Sequence, residues 1–354
     1  MATGVPLDVF VVNATRSETV DGVRFVKHMP IPASLTRVAR LMKMRLVASV
    51  PVLQTYDVVF LRYPTAIDLD PLAFVRARSK GPRIATIHHA KEVREQLAIS
   101  RSPGMLARAG LEWVQGRRIV REVDGIIGVT DEIRDFQLAR AGVDKPARTI
   151  ANGVDVSTVA PTGFVPFDGE ELRLVFLASS HALWHGTDRL RKSLEAYRGR
   201  RRVVLDMVGR GSNPAGTREV FGNVTIRHHG MLHGEALDRV LAQGTLAIST
   251  LAFFRTGLRQ AAVLKTREYV ARGLPTVLGY EDMDLPEDWP FALRLPIDES
   301  VFSLDPLFDF AARVSSAPGA AQQMRRFAEG VLDWRVKVPR FAELAEVMLD
   351  RSLC

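Results

Sequence analysis

The stretch from Leu264 to Val277 decides the fold, and it reads Leu-Lys-Thr-Arg-Glu-Tyr-Val-Ala-Arg-Gly-Leu-Pro-Thr-Val. Its first part predicts a helix that begins near Val263 and ends at Gly273, because glycine readily takes the left-handed conformation that closes a helix. The Leu-Pro pair that follows begins a buried strand. A helix leading directly into a buried strand is typical of a parallel α/β sheet.

The same alternation of strands and helices runs along the whole chain. In the first half we predict strands at Asp8–Val12, Asp57–Arg62, Arg83–His88, Gly125–Val129 and Arg148–Ala151, and helices at Ser34–Ala48, Leu69–Arg78, Pro103–Glu122 and Asp131–Ala141. In the second half we predict strands at Leu172–Ala178, Arg202–Val208, Val224–His228, Leu246–Thr250 and Pro275–Leu278, and helices at Asp188–Tyr197, Gly234–Gln243, Val263–Arg272 and Pro306–Ser315. Two such series predict two doubly wound α/β domains with parallel sheets.

The length of 354 residues also favours two domains, because it exceeds the usual size of one hydrophobic core. Turn-forming residues at Pro161–Gly169 predict the boundary, with a first domain over 1–162 and a second over 163–335. The remaining segment, 336–354, contains a helix predicted over Arg340–Leu353, which we expect to pack back across the domain interface. Ligands of parallel sheets bind beyond the carboxyl ends of the strands, so the expected site is a cleft between the two domains.

The composition predicts a soluble globular chain with anionic partners. Hydrophobic residues make up 47% and charged residues 25%, which excludes a mainly disordered chain. No apolar run is long enough to predict a transmembrane helix, and the N-terminus has no pattern of a secretory signal. The single cysteine, Cys354, excludes an intrachain disulfide and fits a cytoplasmic location. The net charge of +8 favours nucleic acid, phosphorylated ligands or an acidic membrane surface.

One face of the predicted helix over 263–273 carries Lys265, Glu268 and Arg272, which stand three and four residues apart. The free N–H groups at the start of such a helix can bind a phosphate. Lys265 and Arg255 can add positive charge, and Glu268 can accept hydrogen bonds from ribose hydroxyls. The alternative is a solvated face with a surface pair between Glu268 and Arg272, and spacing alone favours that alternative.

Four segments extend this pattern in a fixed order: Asn152-Gly153-Val154-Asp155, Trp184-His185-Gly186-Thr187-Asp188-Arg189-Leu190, Val208-Gly209-Arg210-Gly211, and Glu268 followed by Ala271-Arg272-Gly273-Leu274-Pro275-Thr276-Val277. Together they resemble the motifs of family 4 of the retaining glycosyltransferases, the group 1 glycosyltransferases. That family has the GT-B fold of two facing Rossmann-like domains. The resemblance is closest to a bacterial subset linked to surface-polysaccharide assembly.

The resemblance implies an enzyme that moves a sugar from a nucleotide-diphosphate sugar to a hydroxyl acceptor with retention, without a metal or other cofactor. The implied acceptor is a glycan or lipid-linked glycan of the bacterial cell envelope. The donor-binding residues are expected to be His185, Gly186, Gly209, Arg255, Lys265, Arg267 and Glu268. We expect His88 beside the transferred sugar, so that His88 and Glu268 are the catalytic candidates. His89 and Gly22 are expected on the sugar or acceptor side.

Two departures from the family pattern matter for function. Gln260 stands where the family usually has the first of two glutamates, which leaves the preferred sugar open. Ser180 and His185 stand where the family often has an arginine and a lysine that hold the diphosphate. A neutral imidazole binds anions more weakly than an ammonium and titrates near neutral pH. The departures keep two alternatives open: a non-catalytic scaffold in a polysaccharide assembly complex, and an enzyme similar to UDP-N-acetylglucosamine 2-epimerases.

Other charged patterns are interpreted as structural. Asp68 with Asp70, and Asp282 with Asp284, imitate metal-binding pairs, but each predicts a loop or helix start. His228, His229 and His233 have no ligand spacing to a carboxylate or thiol, so no metal site is predicted.

Two predicted helices, Ser34–Ala48 and Pro103–Glu122, carry arginines among apolar residues. Such helices can lie on an anionic membrane, or they can pack with one side and expose a solvated basic side. Both interpretations remain open, and the first would place the protein on the inner face of the plasma membrane. Nucleic acid is the least favoured anionic partner, because no nucleic-acid-binding motif is present.

Overall fold

The computed structural model describes residues 8–13, 23–27, 47–48, 51–63, 68–77, 81–211 and 213–350. Contacts within the chain divide it into two units. The N-terminal unit comprises Met1–Ile150 together with Val338–Cys354, and the C-terminal unit comprises Ala151–Lys337. Within the described residues, no helix is both long and apolar enough to cross a membrane.

The described strands of the N-terminal unit belong to two parallel sheets. The strands are β1 (Val9–Asn13), β2 (Val23–Lys27), β3 (Val58–Arg62), β4 (Arg83–His88), β5 (Gly125–Gly128) and β6 (Ala147–Thr149). The helices are α1 (Ala73–Arg76), α2 (Glu92–Ile99), α3 (Pro103–Glu122) and α4 (Asp131–Ala141). Strands β3, β4, β5 and β6 pair in that order, and β1 pairs with β2.

Helices cover both faces of the four-stranded sheet. Successive side chains of a strand point to opposite faces, so Ile84 and Ala85 belong to different cores. Ile84 packs with Ile119 and Val120 of α3. Ala85 packs with side chains near the chain's C-terminal end, Leu344 among them. This α/β/α layering agrees with the predicted class of fold.

The C-terminal unit contains a larger, mainly parallel sheet. The strands of this unit are β7 (Glu171–Ser180), β8 (Arg202–Arg210), β9 (Arg218–Phe221), β10 (Val224–Gly230), β11 (Leu246–Ile248), β12 (Gln260–Ala261), β13 (Thr276–Leu278), β14 (Glu281–Asp282) and β15 (Ala292–Arg294), of which β12 and β14 pair in a separate two-stranded sheet. Its helices are α5 (Thr187–Ala196), α6 (Gly234–Leu241), α7 (Leu264–Arg272), α8 (Asp305–Ser315), α9 (Ala320–Phe327) and the first residues of α10 (Trp334–Leu349). The order β15-β13-β11-β7-β8-β10-β9 makes seven strands, of which the edge strand β9 is antiparallel.

The strand order of this sheet reverses beside β7. From β7 the chain moves to β8 and β10 on one side, and it then returns to place β11 on the other side of β7. Connections from β7 and β11 therefore leave in opposite directions and open a crevice beyond the carboxyl ends of these two strands. In open α/β sheets this switch point is where ligands bind.

The contacts place the change of unit earlier than the predicted boundary at 162/163. The Val154 N–H donates to the Leu332 carbonyl at 2.9 Å, and Val156 is buried in the core of the C-terminal unit. The Arg325 guanidinium donates to the Val159 carbonyl at 2.7 Å. Residues 151–162 are thus held by the second unit, and the turn formers at Pro161–Gly169 make a loop inside it.

Two predicted helices differ from the structure in extent. The helix predicted over Arg340–Leu353 begins earlier, at Trp334, and contains Pro339. Within residues 69–77, the described part of the predicted helix Leu69–Arg78, only Ala73–Arg76 is helical, because the Asp68 carboxylate accepts the Asp70 N–H at 2.8 Å and forms a turn instead. Most of the predicted helix Ser34–Ala48 lies outside the described residues.

Candidate functional site

Three side chains that can carry positive charge meet at the switch point of the C-terminal unit. We call His181, His185 and Lys265 the histidine–lysine cluster. Lys265 Nζ lies 4.0 Å from the ring centroid of Phe176 and 3.4 Å from His185 Nδ1. Both histidine rings contact Phe176 edge-on, with centroids 5.4 Å (His181) and 5.9 Å (His185) away. The His185 Nδ1 atom is also 3.3 Å from the Thr250 hydroxyl, which follows β11.

Two glycines shape the backbone around this cluster. Gly209, near the end of β8, has φ +125°, and a Cβ there would lie 1.5 Å from the Ala178 carbonyl oxygen. Gly186 has φ +67°, and a Cβ there would be 3.0 Å from the Ala252 backbone nitrogen. The absence of side chains therefore brings the ends of β7, β8 and β11 close together. Both glycines were predicted as donor-binding residues, and both lie beside the cluster.

The cluster contains three side chains that can carry positive charge, and no carboxylate among the described residues compensates them. Lys265 is only 8% exposed, and burial holds its pKa well below the usual value of a lysine. In the described part of the chain, Lys265 forms no ion pair. Burial, followed by the charges of Lys265 and His181, lowers the pKa of His185 to about 3. These are the properties of a site that binds an anion, because an anion would relieve both the burial and the mutual repulsion.

Arg255 was also expected to supply charge for an anion, but its charge is already compensated. Its guanidinium donates to both carboxylate oxygens of Asp188, at 2.9 Å each, and to both of Glu299, at 2.8 and 2.6 Å. It also donates to the Leu183 carbonyl at 2.8 Å. Arg255 thus connects the turn before α5, and the start of α5, to the loop at Glu299. Its role in this structure is structural.

Arg267 is compensated in the same way. It is fully buried and pairs with Asp282 and Asp284, and its Nε donates to the Asn152 carbonyl at 3.0 Å. Lys337 adds a second cation to Asp284 at 2.8 Å. The two aspartates therefore hold buried cations. Over the described residues, no group of three or more acidic, histidine or cysteine side chains is arranged to hold a metal.

Glu268 lies on the exposed side of α7, with 26% of its side chain accessible. The Arg272 guanidinium donates two hydrogen bonds to its Oε1 atom, at 3.0 and 2.9 Å. Arg272 also pairs with Asp238 at 2.7 Å. The pair that the sequence favoured from spacing alone is present, and a ribose at Glu268 would share this carboxylate with Arg272.

In the N-terminal unit, His88 is held on both sides of its ring. The ring is fully buried, with Nδ1 3.0 Å from Glu92 Oε1 and Nε2 2.9 Å from the Thr86 hydroxyl. It stacks on Tyr63 with centroids 4.4 Å apart. Burial lowers the pKa of His88, and Glu92 opposes this effect. A direct contact between His88 and a sugar requires one of these two hydrogen bonds to break.

The partners of His88 belong to a larger buried network. Tyr63 donates to Glu112 at 2.6 Å, and Arg140 lies 3.4 Å from Glu112 and 3.9 Å from Glu92. Gln137 donates to the second oxygen of Glu92 at 2.9 Å. Sequence analysis did not predict this network. The spacing of four residues between His88 and Glu92 is the one local signal that pointed to it.

His89 faces outward from the same strand end. It lines a pocket of about 210 Å³ together with Arg62, Tyr63, Ala90, Glu92 and Glu95. Burial and the neighbouring Arg62 lower the pKa of His89 to about 4, while burial raises the pKa of Glu95. Of the two histidines, His89 is therefore the one open to a ligand in this structure. Gly22 lies outside the described residues.

Comparison with solved structures shows the same architecture in other proteins. Sucrose-phosphate synthase from Thermosynechococcus elongatus matches with a TM-score of 0.63 and 14% identity, over 98% of this chain and 89% of that one. Alr3699/HepE from Anabaena, solved in complex with UDP, matches with 0.56 and 14%, over 92% and 86%. The lipopolysaccharide outer core galactosyltransferase WaaB matches with 0.51 and 13%, over 93% and 85%. A comparison with curated proteins finds no match.

These structural matches show that the chain has the GT-B fold. The predicted class of fold is confirmed, and the match of residues 2–158 to a glycosyltransferase family model supports the predicted class of enzyme. Residues 2–158 match the family model of Glycosyltransferase Family 4. The matched range covers the N-terminal unit and the first residues of the C-terminal unit, and it includes the Asn152–Asp155 motif.

Proposed function

We propose that this enzyme transfers a sugar from a nucleotide-diphosphate sugar to a hydroxyl acceptor, and that the C-terminal unit binds the donor. The observation that carries the proposal is the histidine–lysine cluster. It places the uncompensated Lys265 between two strand ends at the switch point of the sheet, beside two imidazoles. A diphosphate supplies the negative charge that this arrangement lacks. One of the structural matches, Alr3699/HepE, binds UDP in its own crystal structure.

Within this proposal each side chain has a specific task. Lys265 and His185 stabilise the charge that develops on the diphosphate as it leaves, which lowers the barrier to transfer. Glu268 accepts hydrogen bonds from the ribose, and the backbone near Gly186 and Gly209 approaches the phosphates closely. Lys265 and the start of α7 supply the positive charge, so we propose a reaction without a metal. We also propose retention at the anomeric carbon.

Arg255 and Arg267 take part indirectly in this scheme. Their carboxylate partners already neutralise them, so they hold the loops that present His185 and α7. This assignment differs from the expectation that both bind the diphosphate. It rests on the rule that a compensated buried cation has little field left for a further anion.

We propose that the N-terminal unit binds the acceptor. The pocket at His89 offers an imidazole, a guanidinium and a carboxylate, which together can hydrogen-bond a polyhydroxylated molecule. We propose as acceptor a glycan or lipid-linked glycan of the bacterial cell surface. WaaB, which matches in fold, is a galactosyltransferase of the lipopolysaccharide outer core.

A lipid-linked acceptor requires the enzyme to work at a membrane, and α3 offers a suitable face. Trp113 is 41% exposed, and Arg117, Arg118 and Arg121 are exposed further along the same helix. Apolar and basic side chains on one surface bind anionic lipid through both burial and charge. We therefore propose peripheral binding to the cytoplasmic face of the plasma membrane.

A thermal-shift screen with UDP-, GDP- and ADP-sugars tests the donor site. A ligand that binds the folded protein should raise its melting temperature. Lys265→Met and Glu268→Gln should abolish most of the shift while leaving the unliganded protein folded. Lys192→Met, which changes an exposed lysine on α5, is the matched control and should keep the full shift.

Labelled donor and product analysis then separate the possible activities. A label found on an acceptor supports transfer, and an isomerised donor would instead indicate an epimerase. A protein that binds none of the nucleotide sugars, under conditions where the controls are folded, would be a scaffold and would contradict the proposal.

A further inference from the structure

His181 is the member of the cluster that the family resemblance does not assign. It directly follows β7, and its backbone N–H donates to the Arg210 carbonyl at 3.1 Å. Its ring lies along the loop after β8, because a Cβ on Gly211 would come within 2.6 Å of His181 Nδ1. The Nε2 atom is buried and has no hydrogen-bond partner among the described residues. A buried ring nitrogen without a partner is costly, so it marks a place where a ligand can bind.

The ring of His185 makes different contacts, but it too is placed where a ligand can bind. Its Nδ1 atom faces Lys265 Nζ and the Thr250 hydroxyl, both of which can donate. An imidazole that accepts at Nδ1 carries its proton at Nε2 and is neutral. The backbone at His185 is fixed as well, because its carbonyl accepts the Leu251 N–H at 3.0 Å. The side chain is therefore presented as a neutral group beside a lysine.

The charged groups around the cluster do not offset its positive charge. From β10, His228 faces His181, but it is bound to Glu219 at 2.8 Å. At the start of α5, Asp188 is paired with Arg255, as is Glu299. Burial lowers the pKa of both imidazoles, and the charge of Lys265 lowers it further. Both imidazoles are therefore held in their neutral form until a negative charge arrives.

We propose that His181 and His185 both bind the donor diphosphate as imidazolium ions, so that the C-terminal unit takes up protons when a nucleotide sugar binds. This inference rests on the proposed function. It makes His181 a further donor-binding residue, which directly follows Ser180, the last residue of β7. It also means that donor affinity rises as the pH falls, because the protein takes up protons from the solvent when the donor binds.

Calorimetric titration with a nucleotide sugar tests the inference directly. UDP-glucose is the first probe, with GDP-mannose and ADP-glucose used if it does not bind. In these donors both phosphates are esterified, so their charge stays constant near neutral pH and any proton must bind to the protein. Titrations at one pH in HEPES and in Tris give different heats, and the difference measures the protons taken up.

Because both imidazoles are neutral before binding, we expect an uptake of about two protons per donor at neutral pH, one for each ring. His181→Gln and His185→Gln keep a hydrogen-bonding side chain but cannot become charged. Each should reduce the uptake, the double variant should abolish it, and each single change should weaken binding about tenfold. His233→Gln alters an exposed histidine of the same unit and should leave both quantities unchanged. Histidine ring NMR signals that shift on donor binding in the wild type, and vanish in each variant, assign the protons.

The outcomes separate the inference from the proposed function. If no nucleotide sugar binds the folded wild type, the proposed function is contradicted. If a donor binds with no proton uptake, or if the double variant takes up as many protons as the wild type, only the role of the two histidines is overturned.

Discussion

Both units place histidines at the carboxyl end of a buried parallel strand, yet the two sites differ in their electrostatics. After β4, His88 is enclosed by a network in which Glu92 and Glu112 face Arg140. After β7, His181 and His185 meet Lys265 with no carboxylate among their described contacts. The first arrangement pairs its buried charges with one another, although Arg140 Nε and Nη2 have no hydrogen-bond partner among the described residues. The second leaves charge to be satisfied by a ligand.

The difference shows that compensation, more than residue type, distinguishes a structural cation from a binding one. Arg255 and Arg267 look as suitable for a phosphate as Lys265 does when only the sequence is considered. In the structure each of these arginines pairs with two carboxylates, whereas Lys265 packs on Phe176. Buried ion pairs stabilise a conformation only when both partners are present, so they resist changes on either side.

The largest expected effect is on the compensated network of the N-terminal unit. Glu112→Gln removes the closer carboxylate from Arg140, which is buried, and should lower the free energy of unfolding by about 3 kcal/mol. Urea denaturation of the whole protein measures this loss. Glu122→Gln alters an exposed carboxylate of the same helix and should change stability by less than about 0.5 kcal/mol. Equal effects of the two variants would show that the network is not compensating Arg140.

The uncompensated cluster should respond in the opposite way. Lys265→Met removes a buried charge and keeps the packing on Phe176, so stability should stay the same or increase. Donor affinity should fall about 100-fold, which corresponds to about 2.7 kcal/mol. Calorimetry with the donor and urea denaturation, done on the same preparation, provide both values. If the variant lost stability but kept its donor affinity, Lys265 would be a structural residue and the difference between the two sites would be contradicted.

Acid should destabilise the ligand-free protein. The pKa values of His89 (about 4) and His185 (about 3) lie below the usual value, as do those of His88 and His181. The unfolded chain therefore binds more protons than the folded one once the pH falls below about 6.5, so stability is lost as the pH decreases. Melting temperatures at neutral pH and near pH 5.5 should show this fall.

A saturating donor should reduce the acid effect in the C-terminal unit, because its diphosphate favours the protonated histidines. His185→Gln should make the melting temperature less dependent on pH. A melting temperature that is equally sensitive to acid in this variant would show that His185 does not titrate between the folded and unfolded states.

The smallest expected effect is at Arg255. Arg255→Lys keeps the charge but loses the forked contacts with Asp188 and Glu299, and should cost about 1 kcal/mol of stability. Donor affinity should change less than about twofold, because the guanidinium does not belong to the cluster. The same titration used for Lys265→Met measures it. A large loss of affinity would restore Arg255 to the diphosphate site.

Local signals explain which elements could be predicted. Helices α3 and α4 have the predicted bounds, Pro103–Glu122 and Asp131–Ala141. The second begins where Thr130 caps the Ile133 N–H and ends at Gly142, which has φ +63°. The short helix α2 was not predicted, and Pro339 was placed before the last helix although it lies within it. Proline lacks the N–H that donates to the carbonyl four residues earlier, so the sequence pattern favours a helix boundary at such a residue.

Sequence alone determined the alternation of strands and helices, the two-unit organisation, and the placement of Lys265, His185 and Glu268 near strand ends and a helix start. These depend on periodicity, turn formers and caps, which act over a few residues. Tertiary structure decided which charges remain available. Asp188 pairs with Arg255 across 67 positions, and Asn152 accepts from Arg267 across 115. Folding chooses such partners through long-range packing and desolvation, so only the folded chain shows that Arg255 is neutralised while Lys265 is not.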